Sequence, residues 1–153
     1  MKLKGKLKYD PFRKGIKVTQ NWRAVLQLPF AEDMAAYYRN WAMKYPYKFK
    51  NPQTKESFSY LNLVPWSWGI HISIAKGKPP INRKVWKKYD GEIITVEYDP
   101  IIKIFPYPND IDHVFYMDVY SNRLQEIKNE LYGQKLKPWK FHITIGKTHY
   151  SRK

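Results

Sequence analysis

Two segments of this chain repeat each other closely. Trp68-Gly69-Ile70-His71-Ile72-Ser73-Ile74-Ala75-Lys76 and Trp139-Lys140-Phe141-His142-Ile143-Thr144-Ile145-Gly146-Lys147 carry Trp, His, a hydroxyl residue and Lys at matching offsets. Each segment closes a stretch that reads strand, helix, strand. The first stretch has a strand at 22–28, a helix at 30–44 and a strand at 70–75; the second has 113–120, 121–132 and 141–146. Two copies are too few for a solenoid. They suggest two pseudo-symmetric lobes around one shared groove, with strands and helices in each.

The remaining segments fit that plan. With 153 residues the chain is expected to form a single domain, with an N-terminal arm at 1–20, lobe one at about 21–77 and lobe two at about 90–147. Residues 1–20 read as basic and irregular, with Asp10-Pro11 and Gly15 as turn signals. In the helix at 30–44, Glu32 and Asp33 suit the positive end of the dipole, Met34, Tyr37, Tyr38 and Trp41 form a stripe expected in the core, and Pro46 closes the segment. Residues 46–65 are a Pro-, Lys- and Asn-rich connection. Glu92 to Tyr98 and Ile101 to Phe105 alternate as strands, and Ser121 and Gly133 bracket the second helix, whose stripe is Leu124, Ile127, Lys128 and Leu131.

On a strand, alternate side chains share a face. His71 and Ser73 therefore point one way and Ile72 and Ile74 the other, and His142 and Thr144 part from Ile143 and Ile145 in the same manner. With ordinary apolar usage, any one His falls in such a context roughly once in forty. Two of the four His doing so, at the ends of matching units, is a specific signal. Two imidazoles on one groove can serve as general base and general acid near neutral pH. Ser73 and Thr144 can donate to non-bridging phosphate oxygens, and Lys76 or Lys147 can offset the charge that develops there. Two His can also ligate zinc, but neither motif offers an Asp or Glu at metal spacing, so no metal and no other cofactor is expected. His113 and His149 read as ordinary surface or strand residues.

The paired motifs, each ending a strand–helix–strand unit, resemble the 2H phosphoesterase superfamily over roughly residues 20–147. That resemblance implies a bilobal α+β fold, two antiparallel sheets lining a central groove with helices outside. It also implies metal-independent cleavage of phosphodiesters such as 2′,3′-cyclic phosphates, 2′,5′-linked oligoadenylates and cyclic nucleotides. His71 and His142 would be the catalytic pair, and Ser73 and Thr144 the phosphate-binding hydroxyls. The small size, the Lys- and Tyr-rich composition and the stretch Trp68–Gly77 are most similar to phage-encoded members, among them the anti-CBASS nucleases that destroy cyclic oligonucleotide messengers.

Charge and aromatic content agree with a nucleotide ligand. Lys and Arg number 28 against 13 Asp and Glu, a net charge of +15, and aromatics reach 17%. Such a surface attracts polyanions, and bases stack on Tyr and Trp faces. The expected partner is a cyclic oligonucleotide or short RNA; an RNA-end or oligoadenylate phosphodiesterase and a basic module that only sequesters its ligand are the alternatives. Trp68 and Trp139 flank the motif strands as stacking candidates, although strand alternation turns them toward the apolar side. Tyr9 and Arg13 lie on the N-terminal arm, which is either an ordered cover for the groove, stacking a base on Tyr9, or a frayed basic arm. Trp86, beside Lys87, Lys88 and Tyr89, follows a Pro-Pro loop suited to a lid. The absence of Cys excludes disulfides, a thiol nucleophile and Cys-ligated metals. No apolar run reaches the length of a membrane span, and Met1–Lys6 lacks the apolar stretch of a signal peptide, so a cytoplasmic monomer with no membrane partner is the expectation.

Overall fold

Residues 2–9 alternate Lys with Leu, Gly or Tyr, a period of two that gives a strand one basic and one apolar face. In the computed structural model, which describes residues 1–11, 22–44, 48–50, 57–59, 63–65, 69–106 and 113–148, this segment is strand β1 (Lys2–Tyr9). It is not the irregular arm expected from its charge. Leu7 and Tyr9 are buried while Lys2, Lys4 and Lys6 stay exposed, so the lysines mark only the wet side.

The other elements are β2 (Arg23–Gln27), α1 (Glu32–Lys44), β3 (Lys48–Lys50), β4 (Ser57–Ser59), β5 (Leu63–Val64), β6 (His71–Lys76), β7 (Ile93–Tyr98), β8 (Lys103–Pro106), β9 (His113–Tyr120), α2 (Asn122–Tyr132) and β10 (Phe141–Thr148). A 3-10 turn, Arg83–Val85, precedes β7. The fold is α+β. Its main sheet runs β5-β10-β9-β7-β1-β2-β6, with β8 also on β9, and β3 and β4 form a separate pair. Among the described residues all pairings are antiparallel. The short β7–β9 link, Glu97↔Tyr120 and Tyr98↔Val119, makes one continuous sheet where two were expected. Among the described residues no helix is long and apolar enough to cross a membrane.

Directly paired residues share a face, so the registers sort the whole sheet into two sides. Leu7, Leu26, Ile72, Val96, Met117 and Ile143 lie on the dry side and are at most 1% exposed. Gly5 is on that side too. A Cβ there would stand 2.6 Å from Leu26 Cγ, 2.7 Å from the Gln27 carbonyl oxygen and 2.7 Å from Leu28 Cδ2. Gly5→Ala is expected to cost about 1–3 kcal/mol by overpacking, seen as a lower urea midpoint at unchanged m value.

The helices begin and end as their residues dictate. Ser121 accepts from the Leu124 N–H at the N-cap of α2, and Gly133, at φ 85°, donates to the Asn129 carbonyl at its end. Helix α1 departs from expectation. Its buried face is Ala35, Arg39 and Ala42, whereas Tyr37 is 63% and Trp41 44% exposed. Small residues let the helix come close to the sheet, which leaves the rings of the larger stripe at its margin.

Candidate active site

Strands β6 and β10 each bring one imidazole and one hydroxyl to the wet side of the sheet. Ile72 and Ile74 are buried beneath His71 and Ser73, and Ile143 and Ile145 beneath His142 and Thr144. His71 stands opposite Gln27 and Ser73 opposite Val25; His142 stands opposite Asp118 and Thr144 opposite Tyr116. In sheet order β6 is the last strand at one end and β10 lies next to the other end, yet the two strands pack together. The sheet curls until its ends meet. Lys76 of β6 and His142 of β10 consequently line one cavity of about 860 Å³, with Tyr116, Asp118, Tyr120 and Trp139 among its walls.

A β-bulge lies in each motif strand, at the equivalent place. On β6, Val25 pairs with Ser73 and Ala24 with Ala75, so Ile74 is the extra residue. On β10, Tyr116 pairs with Thr144 and Phe115 with Gly146, so Ile145 is extra. One extra residue reverses the alternation beyond it. Strand parity alone turns Lys76 and Lys147 away from the histidines. The bulges return them: Lys76 comes opposite Arg23, on the side of Ser73, and Lys147 opposite Val114, on the side of Thr144. Helix α1 supports the second bulge, since Arg39 Nη1 donates to the Ile145 carbonyl at 2.8 Å while Nη2 meets Glu32 Oε1 at 2.7 Å.

The two imidazoles sit in distinct surroundings. His71 Nδ1 lies 3.0 Å from the Gly69 carbonyl. A carbonyl only accepts, so Nδ1 carries a proton in that contact. The His142 ring meets Tyr116 edge-on at 5.4 Å. Burial, above all, holds the His142 pKa below the ordinary histidine value; Lys76 lowers it further, Asp118 works against both, and His71 adds a smaller lowering. Asp118 is itself ion-paired with Lys103, which blunts its pull. Among the described residues Ser73 and Thr144 spend their hydroxyls on no hydrogen bond, and no three His, Cys, Asp or Glu gather as a metal ion would need.

Not every candidate reaches this place. Arg13 and Trp68 lie outside the described residues, as do Phe12, Pro46 and His149. Tyr9 ends β1 on the dry side, 6% exposed, with Trp86 edge-on to its ring at 4.8 Å and Trp22 against Trp86 at 5.2 Å. Trp86 donates to Asp10 Oδ2 at 3.1 Å. Tyr9 thus lies on the face opposite His71 and Ser73, with Trp86 packed against it, while residues 12–20 of the arm lie outside the described residues. Trp139 lines the cavity, its ring fixed to α2 by a 2.9 Å bond from Nε1 to Asn129 Oδ1. Asp118, Tyr116 and Lys103 were missed by sequence reasoning. Their signal was the alternation of β9 combined with its pairing to β10, and only the pairing identifies the side that matters. Comparison of the chain with protein-family models, with curated proteins and with solved structures gives no match.

Proposed function

We propose that this protein is a metal-independent phosphodiesterase of the 2H type that opens cyclic oligonucleotides. The observation that carries the reading is that the two motif strands pack together: Lys76 of one and His142 of the other line one cavity, and the charges of Lys76 and His71 both act on His142, although His71, Ser73, Thr144 and Lys147 are not among the cavity's walls. The matched bulges at Ile74 and Ile145 support the two-lobed, pseudo-symmetric plan that goes with it. At about 860 Å³ the cavity is at the upper end of the ~300–1,000 Å³ usual for ligand sites, which favours an oligonucleotide over a single nucleotide.

His142 is the general base, because burial and the charge of Lys76 favour its neutral form. It takes the proton of a ribose 2′-hydroxyl as that oxygen attacks the adjacent phosphorus. The bond from phosphorus to the 5′-oxygen breaks, and His71 gives that oxygen a proton. Water, losing a proton to His71, then attacks the phosphorus of the 2′,3′-cyclic phosphate; the bond from phosphorus to the 2′-oxygen breaks, His142 returns a proton to that oxygen, and a linear product with a 3′ phosphate leaves. Ser73, Thr144, Lys76 and Lys147 hold the phosphate oxygens through both steps. The acid limb of kcat/KM is expected below the ordinary histidine range: a base with a depressed pKa stays unprotonated to lower pH, so activity persists there and falls only when His142 is protonated.

A second reading, an RNA-end or 2′,5′-oligoadenylate phosphodiesterase, draws support from the registers. Lys6 is carried opposite Gln27 and Lys8 opposite Val25, so the lysine row of β1 lies on the same sheet face as His71 and Ser73. A longer single strand would follow that row. The test is chromatography of a panel incubated with the protein and EDTA: 3′,3′-cyclic dinucleotides, a cyclic trinucleotide, 2′,5′-oligoadenylate and an RNA ending in a 2′,3′-cyclic phosphate. Opening of the cyclic messengers is the expected result. Cutting of the last two alone moves the protein to the second reading. An intact panel with ligand retained makes it a sequestering module, and activity lost to EDTA but restored by zinc or manganese overturns the two-histidine scheme.

A further inference from the structure

Lys128 lies on the stripe of α2 that faces the protein, between the buried Ile127 and Leu131. It makes neither ion pair nor hydrogen bond among the described residues. Its Nζ stands 4.5 Å from the centroid of Trp139 and 5.7 Å from that of Phe141. Lys135 Nζ approaches the same Trp139 ring to 3.8 Å. The ring is a fixed floor: besides the bond to Asn129, the Trp139 N–H donates to Gln125 Oε1 at 2.9 Å, and the Gln125 amide donates back to the Trp139 carbonyl.

Two cations share this ring, and among the described residues no carboxylate pairs with either. The field of Lys76 reaches Lys128 as well as His142. The acids of α2 and of the neighbouring strands are committed elsewhere: Glu92 and Glu126 to Arg123, Glu130 to Lys88 and Tyr89, Asp118 to Lys103. Burial, then Lys76, then Lys135, pushes the Lys128 pKa down to about 8. A half-buried ammonium among like charges is costly unless an anion joins it. A lysine used only to cover aromatic surface carries its head out to water; this one is held in, and Lys76 and Trp139 also line the cavity of His142.

We propose that Lys128 and Lys135, over the floor of Trp139, form a second anion site, which holds a phosphate of the substrate other than the one that Lys76 and the histidines attend. The substrate then carries at least two phosphates, as a cyclic di- or trinucleotide does and a 2′,3′-cyclic mononucleotide does not. The assignment of the anion to a substrate rests on the phosphodiesterase reading above; the anion site itself does not.

Inorganic pyrophosphate is the probe. The ionisation of Lys128 is followed by NMR of its side-chain carbons, and thermal stability is measured alongside. The groups facing Lys128 are Lys76 and Lys135, both cationic, with uncharged Trp139 and Phe141. Pyrophosphate is therefore expected to raise the Lys128 pKa by at least one unit and to bind more tightly as pH falls through 8. Lys128→Met and Lys135→Met should each weaken pyrophosphate binding about tenfold, the worth of one charge-assisted bond, while the exposed Lys84→Met changes nothing. With a cyclic dinucleotide, Lys128→Met should raise KM about tenfold with kcat within twofold, and leave kcat/KM for a 2′,3′-cyclic mononucleotide unchanged. No response of Lys128 to pyrophosphate, or equal binding by wild type and Lys128→Met, overturns the site. A normal pyrophosphate response in a protein that cuts no phosphodiester keeps the site and overturns the enzyme.

Discussion

His142→Ala is expected to lower turnover about 10²–10⁴-fold, the usual worth of a positioned general base, and to leave the protein folded. His142 is half-buried on the wet side of β10, and its ring contact is the single edge of Tyr116, so truncation opens no hole in the core. His71→Ala should lose a similar factor. The double variant should be little worse than either single one, because a base and an acid that act in one step are lost as a unit. Single-turnover rates on the best substrate of the panel, with a urea titration of each variant, read both effects. Either variant keeping more than a tenth of the wild-type rate would sink the two-histidine mechanism.

The second large effect is structural and comes from a residue far from the motifs in sequence. Arg39 is 8% exposed, and its guanidinium holds the Ile145 carbonyl that the bulge withdraws from regular pairing. Arg39→Met keeps most of the side-chain volume but strands that carbonyl. A stranded buried acceptor costs about 1–3 kcal/mol, and the charge-assisted bond puts the expected loss near the top of that range, about 3 kcal/mol. The ion pair to Glu32 adds little, since the Glu32 side chain is 52% exposed. Arg39→Lys should not restore the loss, because one ammonium does not reproduce the fork that reaches Ile145 and Glu32 together. Relaxing the bulge also moves Lys147 relative to Thr144, so KM should rise along with the fall in urea midpoint. Wild-type stability in Arg39→Met would show that the bulge stands without its support.

Sequence periodicity determined the local elements and the residues that define the site. The period-two runs of β2, β6, β7, β9 and β10 are where alternation places them, within a residue or two, because an apolar face must be buried and a strand has only two faces. Helix α2 is bounded by Ser121 and Gly133 for reasons equally local. The pairing of each His with its hydroxyl on one face follows from their spacing alone. Even β1 was legible: its Lys-Leu-Lys-Gly alternation is a strand signal, and only its charge suggested an arm.

Tertiary structure decided what lies across from what. A bulge is a fault in register between two strands, set by their shared twist and by Arg39 from a distant helix, so no parity count along β6 or β10 places Lys76 and Lys147 beside the histidines. The closure of the sheet that brings Lys76 to His142 depends on the order of strands across it. Tyr9 carries the right chemistry for bases but falls on the dry side, buried, with the half-buried Trp86 packed against its ring. Lys128, on the core-facing stripe of its helix, gains its meaning only from the cations that other elements bring to it. Local spacing fixes which face a side chain takes; which groups share that face across the sheet is a property of pairings between residues far apart in the chain.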